Sequence, residues 1–177
     1  METRDAYPLR DKLKVTTDDP IPIIWQQNEK LFWSEWIYKI NIRKQLQLRR
    51  FVLTNQRLIN FGDNNIGHKF LSFWSGTEIK REIPLSKIDQ ITVATKSNQF
   101  IIHISSEKEH DYNLAVKEER DEFISYIIKL RQDIPGLAPI KMRFLPQIDL
   151  FQFTSFEVKD RETPLPGLPI IINSLDW

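Results

Sequence analysis

The 177-residue chain has no cysteine, which excludes disulfides, zinc–thiolate sites and thiol nucleophiles. Glycine is scarce, with five residues, and none builds a Gly-rich loop of the kind that cradles phosphates. No N-x-S/T sequon occurs. The opening residues METRDAYPLRDKLKVTTDDP are charged and lack the apolar centre of a secretory signal. No run approaches the roughly 18 apolar residues that a spanning helix needs. Net charge is only +1, so any attraction for anions must come from a local patch. These absences predict a soluble, cytoplasmic protein without disulfides or cofactors.

Proline is missing from most of the chain. Pro8, Pro20 and Pro22 precede residue 23, six more prolines follow residue 133, and only Pro84 lies between. Proline is poorly tolerated in helix interiors and central strands. The distribution predicts a folded domain over residues 23–133, an extended N-terminal arm over 1–22 and a C-terminal arm over 134–177.

Within that window the strand pattern repeats. Residues 35–42, 48–54, 57–61, 78–85, 88–95, 100–105 and 110–116 are rich in β-branched and aromatic residues. Turn-prone segments separate them, such as Asn55–Gln56, GDNNIG (62–67) and KSNQ (96–99). The period then changes. Residues 117–132 place Phe123, Ile127 and Leu130 on one helical face, with acidic residues at the start and Lys129 and Arg131 at the end. Ile134–Pro135–Gly136 stops the helix. The expected fold is mostly β: a seven-stranded antiparallel barrel or sandwich, one open end plugged by an amphipathic helix.

One stretch carries a charge anomaly. Tyr38 to Phe61 holds Lys39, Arg43, Lys44, Arg49, Arg50 and Arg57 and not one carboxylate. Residues two apart share a strand face, so Ile37, Lys39 and Asn41 point one way, as do Arg49, Phe51 and Leu53 on the next strand. A hairpin turning near residues 43–47 would bring Lys39 and Arg49 together. The basic residues Lys39, Arg43, Lys44, Arg49 and Arg50 are therefore a candidate anion site. Alternatively, the charges keep strand faces wet and discourage edge pairing.

Other constellations do not assemble. GDNNIG has oxygen ligands but, counted from Asp63, its twelfth position is Trp74, where a calcium loop needs a carboxylate. His68, His103 and His110 are too scattered for a metal site, and His103 reads as a paired strand residue. His110–Asp111 has no accompanying nucleophile, and no enzymatic constellation is present. Trp25, Trp33, Trp36 and Trp74 are potential stacking platforms for nucleic acid. The 23–133 window nevertheless sums to only +3 (17 basic minus 14 acidic), and nucleic-acid binders show a stronger bias.

The order of elements resembles a pleckstrin-homology fold. RRFVLTNQRLINF resembles its second-to-third strand signature. LFWSEWIYKINIRKQ and REIPLSKIDQITVATKSNQFIIHISSEKEHDYNL are similar to the pleckstrin-homology-like core of the tail-homology-1 domain of class I myosins, over about residues 31–130. No motor accompanies it. The resemblance implies binding of phosphoinositide head groups through the first two strands and their loop, with Lys39 as the first-strand lysine, Arg49 as the second-strand arginine and Arg43 and Lys44 between them. Two positions before Arg49, where tight binders of polyphosphorylated head groups carry a basic residue, stands Gln47.

The C-terminal arm keeps Phe144, Phe151, Phe153, Phe156 and Trp177, which disordered tails seldom retain. LFQFTSF alternates as an edge strand does. These residues are candidate contacts for a protein partner. Two functions follow as expectations. One is a non-enzymatic adaptor docking to an anionic phosphoinositide membrane surface or the cytoskeleton. The other is a scaffold subunit of a large cytoskeletal or ciliary assembly, with protein contacts and no lipid.

Overall fold

The structure, a computed structural model, describes residues 7–15, 23–41, 45–63, 77–105, 112–115 and 119–148. The strands are β1 (Arg10–Asp11), β2 (Leu31–Ile40), β3 (Leu46–Thr54), β4 (Arg57–Asp63), β5 (Thr77–Pro84), β6 (Ile88–Ala94), β7 (Gln99–Ile104), β8 (Tyr112–Ala115) and β9 (Lys141–Leu145), with helix α1 (Arg120–Gln132) between the last two. Each of the seven strands expected from alternation is present, as is the helix.

The strands form one sheet in the order β5-β4-β3-β2-β8-β7-β6-β9, with β1 alongside β2. Meanders β2–β5 and β6–β8 are antiparallel. They join where Tyr38 and Lys39 of β2 pair with Ala115 and Leu114 of β8. The path is open: among the described residues no pairing closes β5 onto β9. Pro84 ends β5, and a single 3-10 turn over Leu85–Lys87 leads into β6.

The inner faces of the two meanders and α1 share one core. Trp33, Ile37, Phe51 and Leu58 come from the first meander, Ile91, Phe100, Ile102 and Leu114 from the second, and Phe123, Ile127 and Leu130 from the helix. Burying each such side chain contributes about 1.5–3 kcal/mol. The helix carries Asp121 and Glu122 in its first turn and Lys129 and Arg131 in its last, each stabilised by the helix dipole. Gly136 follows with φ of 81°, a conformation that glycine adopts without steric cost. This is the pleckstrin-homology-like arrangement that the sequence implied.

Two strands come from the flanks rather than from the 23–133 window, and both run parallel to their neighbours. β1 is held by Asp11, whose Oδ1 accepts from Ser34 Oγ at 2.5 Å and from the Val15 N–H at 2.8 Å. The chain beyond it lays Leu13, Val15 and Ile23 over the outer face of β3 and β4, against Val52, Ile59 and Phe61. β9 follows the helix and pairs with β6 from Gln90↔Lys141 to Ala94↔Leu145. The helix supplies the crossover that a parallel strand requires. Neither β1 nor β9 is long enough to show a periodic signal among neighbouring prolines.

Candidate anion-binding mouth

The β2–β3 hairpin sets the geometry. Ile37 pairs with Arg49, Lys39 with Gln47 and Glu35 with Phe51, so Lys39 and Arg49 lie on the face that carries Ile37 and Phe51 into the core. Deeper on this face Trp33, Ile37, Phe51 and Leu53 are apolar and buried. Toward the β2–β3 connection it turns cationic. Gln47, in place of a basic residue, stands directly across from Lys39.

Two more strands complete the mouth. Arg81 of β5 pairs with Asn60 of β4, which pairs in turn with Phe51. Tyr112 of β8 faces them from the other meander. Its ring lies 5.2 Å from Lys39 Nζ and 4.6 Å from Arg81 Cζ, centroid to cation, within the reach of a cation–π contact. Asn60 Nδ2 donates to the Tyr112 hydroxyl at 3.0 Å, and Phe51 meets the same ring edge-on. One tyrosine thus organises cations from separate strands.

The electrostatics follow from this crowding. The Lys39 ammonium is held below the usual lysine range, first by burial and then by the like charges of Arg49 and Arg81. Burial pushes the Tyr112 phenol up, opposed by the Asn60 hydrogen bond and by the positive charges of Arg81 and Arg49. A half-buried lysine surrounded by like charge is a site where an incoming anion relieves repulsion as well as making contacts.

The candidate residues do not all gather here. Lys39 and Arg49 do. Arg50 points to the opposite face of the hairpin, where it is 9% exposed and its guanidinium lies 4.8 Å from the Trp36 ring centroid. Arg57, the last cation of the carboxylate-free stretch, is committed to structure. It forms a bidentate pair with buried Glu29 at 2.8 and 2.9 Å, and also donates to Glu82 and to the Ile24 carbonyl. Arg43 and Lys44 lie outside the described residues, as do Phe151, Phe153, Phe156, Trp177, His68, His110 and Asp111. Phe144 is in β9 and 62% exposed.

Arg81, Asn60 and Tyr112 were not among the sequence candidates. Arg81 sits in the mixed-charge segment EIKREIP and Tyr112 is uncharged, so only the register reveals them. His103 is buried in β7 and shares a 2.7 Å hydrogen bond with Thr92. Among the described residues no group of His, Asp or Glu is arranged to hold a metal, and no helix is long and apolar enough to cross a membrane.

A family model described as unconventional myosin tail, actin- and lipid-binding, matches residues 11–162. Among solved structures, the hSac2 domain of the human phosphoinositide phosphatase Sac2 is similar at 12% identity and a TM-score of 0.45, over 68% of this chain and 82% of that one. The Slm1 PH domain, solved in complex with phosphoserine, is similar at 15% identity and a TM-score of 0.43, over 58% and 96%. The PH domain of the human KIAA0053 protein is similar at 19% identity and a TM-score of 0.49, over 65% and 100%. No curated protein matches the chain.

Proposed function

The chain belongs to the unconventional myosin tail family, described as actin- and lipid-binding, and from that premise we propose that it is a non-enzymatic adaptor holding anionic phosphoinositide head groups in the β2–β3–β5–β8 mouth. One observation carries the reading: Lys39 and Arg81 converge on the Tyr112 ring, and Arg49 adds its charge to both Lys39 and Tyr112. Arginine brings a planar fork matched to phosphate, and lysine a compact point charge. Arg43 and Lys44 follow Lys39 in the sequence and add two basic residues to the same stretch. Arg50, buried on the other face, stabilises the hairpin and takes no part. Gln47 opposite Lys39 lowers the charge density, so the site favours a charged membrane surface over tight capture of one soluble head group. The protein acts at the boundary between membrane and cytoskeleton.

Vesicle flotation tests this. Each basic residue near an anionic surface contributes about 1 kcal/mol. Lys39→Ala with Arg49→Ala should weaken binding to phosphoinositide-containing vesicles roughly thirtyfold, and Arg81→Ala alone about fivefold. Binding should fall as salt rises above about 0.15 M, where the Debye length is near 8 Å. Unchanged binding in the double variant removes the mouth as the lipid site.

A further inference from the structure

The β2–β3 hairpin has two unlike faces at the end where the mouth opens. Lys39 and Arg49 lie on the inner face. The alternate positions lie on the outer face, where the register pairs Tyr38 with Leu48 and Ile40 with Leu46. Ile40 is buried beside Ala115, and Tyr38 and Leu46 pack half-buried against them. Leu48 is 43% exposed. These four residues sit at the hairpin tip, since Ile40 ends β2 and Leu46 begins β3. Farther from the tip the outer face changes character: Arg50 lies against Trp36, and the N-terminal arm packs over Val52. An apolar face and a cationic face therefore share one strand end.

We propose that the hairpin docks tip-first on a lipid surface, its outer face entering the headgroup layer with Leu48 foremost while Lys39, Arg49 and Arg81 take phosphates on the inner face. The inference rests on the lipid reading of the mouth and adds to it an orientation and an apolar contact. A lipid surface supplies phosphates and the acyl boundary within a few ångströms of each other, which is what the two faces of one strand end require, and the family is described as lipid-binding. Segments that lie in the interface combine an apolar and a cationic face in this way and bury the apolar one about 5–10 Å deep. Tyr38 and Leu48 stand two residues from the strand ends, about 7 Å at the rise of a strand, and tyrosine favours the headgroup level. Ile24 is also exposed, at 88%, but it precedes the far end of β2, where Arg57 holds its carbonyl. Ten residues of strand, about 30 Å, keep it off the same surface.

The chain has no cysteine, so Leu48→Cys carries a polarity-sensitive fluorophore at one place in the full chain, and Ile24→Cys carries it at the other end of β2. On phosphatidylcholine vesicles doped with phosphatidylinositol bisphosphate, the fluorophore at position 48 should shift to the blue and be quenched by nitroxides held at the headgroup level. The fluorophore at position 24 should not respond. Leu48→Ser should weaken binding about tenfold at every salt concentration, leaving the slope of affinity against salt as in the parent, because the lost contact is apolar. Leu48→Trp should bind at least as tightly as the parent. A fluorophore at 48 that stays in water on vesicles that bind the chain overturns the proposal and leaves the mouth standing, as does Leu48→Ser binding like the parent. Unchanged binding in Lys39→Ala with Arg49→Ala removes the mouth, and the tip-first docking falls with it.

Discussion

Holding Lys39 beside Arg49 and Arg81 opposes folding at neutral pH, because the charged ammonium is both partly desolvated and repelled. The folded pKa lies below the unfolded value of about 10.4. Between those two values the unfolded chain binds more protons, so stability rises with pH across that window. Below the folded pKa the penalty is present in full. Lys39→Met, which keeps the stem and drops the charge, should therefore raise the melting temperature at pH 7 and lose that advantage as pH approaches 10, while weakening vesicle binding. Thermal melts followed by circular dichroism at both pH values check this; a variant less stable at pH 7 would contradict it. That Lys39 and Arg49 share a face was legible because strand side chains alternate with a period of two. The same period put Arg50 on the other face. Arg81 was not legible, since its place beside Lys39 depends on register through β4 and on the approach of Tyr112 from the far meander.

At the scale of elements, the seven alternating strands and the helix were readable because each has one face on a shared core, which imprints a period on the sequence. β1 and β9 were not, because partners elsewhere in the chain define them more than their own pattern does. The segment leading into β2 was also opaque. Glu29 lies there, yet it fixes Arg57 of β4, which also reaches Glu82 of β5. Burial alone would push the Glu29 carboxyl up; hydrogen bonds from Arg57, the Gln26 N–H and the Thr54 hydroxyl more than offset this and hold it below the usual carboxylate range. A depressed carboxylate contributes stability above its unfolded pKa and loses it as pH falls through the folded one. Arg57→Ala strands a carboxylate with no exposed side-chain surface and should cost about 3–5 kcal/mol at pH 7. The deficit relative to the parent should shrink as pH falls, because acid protonates Glu29 first in the variant, which lacks the Arg57 hydrogen bonds that hold the parent's carboxyl low. Urea titrations at pH 7 and pH 3 measure the two differences, and equal deficits would show that Arg57 acts through packing rather than charge.

For the whole molecule, the question is whether two meanders joined by so short a seam behave as one body. Among the described residues, Tyr38↔Ala115 and Lys39↔Leu114 tie β2 to β8, too little pairing to couple the halves unaided. The helix supplies the rest. Phe123 packs edge-on against Trp33 of β2, with ring centroids 5.6 Å apart, and against Phe100 of β7 at 6.1 Å. One fully buried ring thus touches both meanders. Phe123→Ala removes that bridge and leaves a cavity, at a cost of about 3–5 kcal/mol. Because the lost contacts belong to both halves, unfolding should shift as a single transition, with tryptophan fluorescence and far-ultraviolet circular dichroism remaining coincident in guanidinium. Trp33 and Trp36 both lie in β2 and β6–β8 contain no tryptophan, so with Trp25, Trp74 and Trp177 replaced by phenylalanine in both proteins, fluorescence follows the first meander while circular dichroism follows the entire sheet. Separate transitions in the variant would mean that the meanders fold independently once the ring is gone. The mouth would then straddle a movable joint, since Lys39 and Tyr112 come from opposite sides of it.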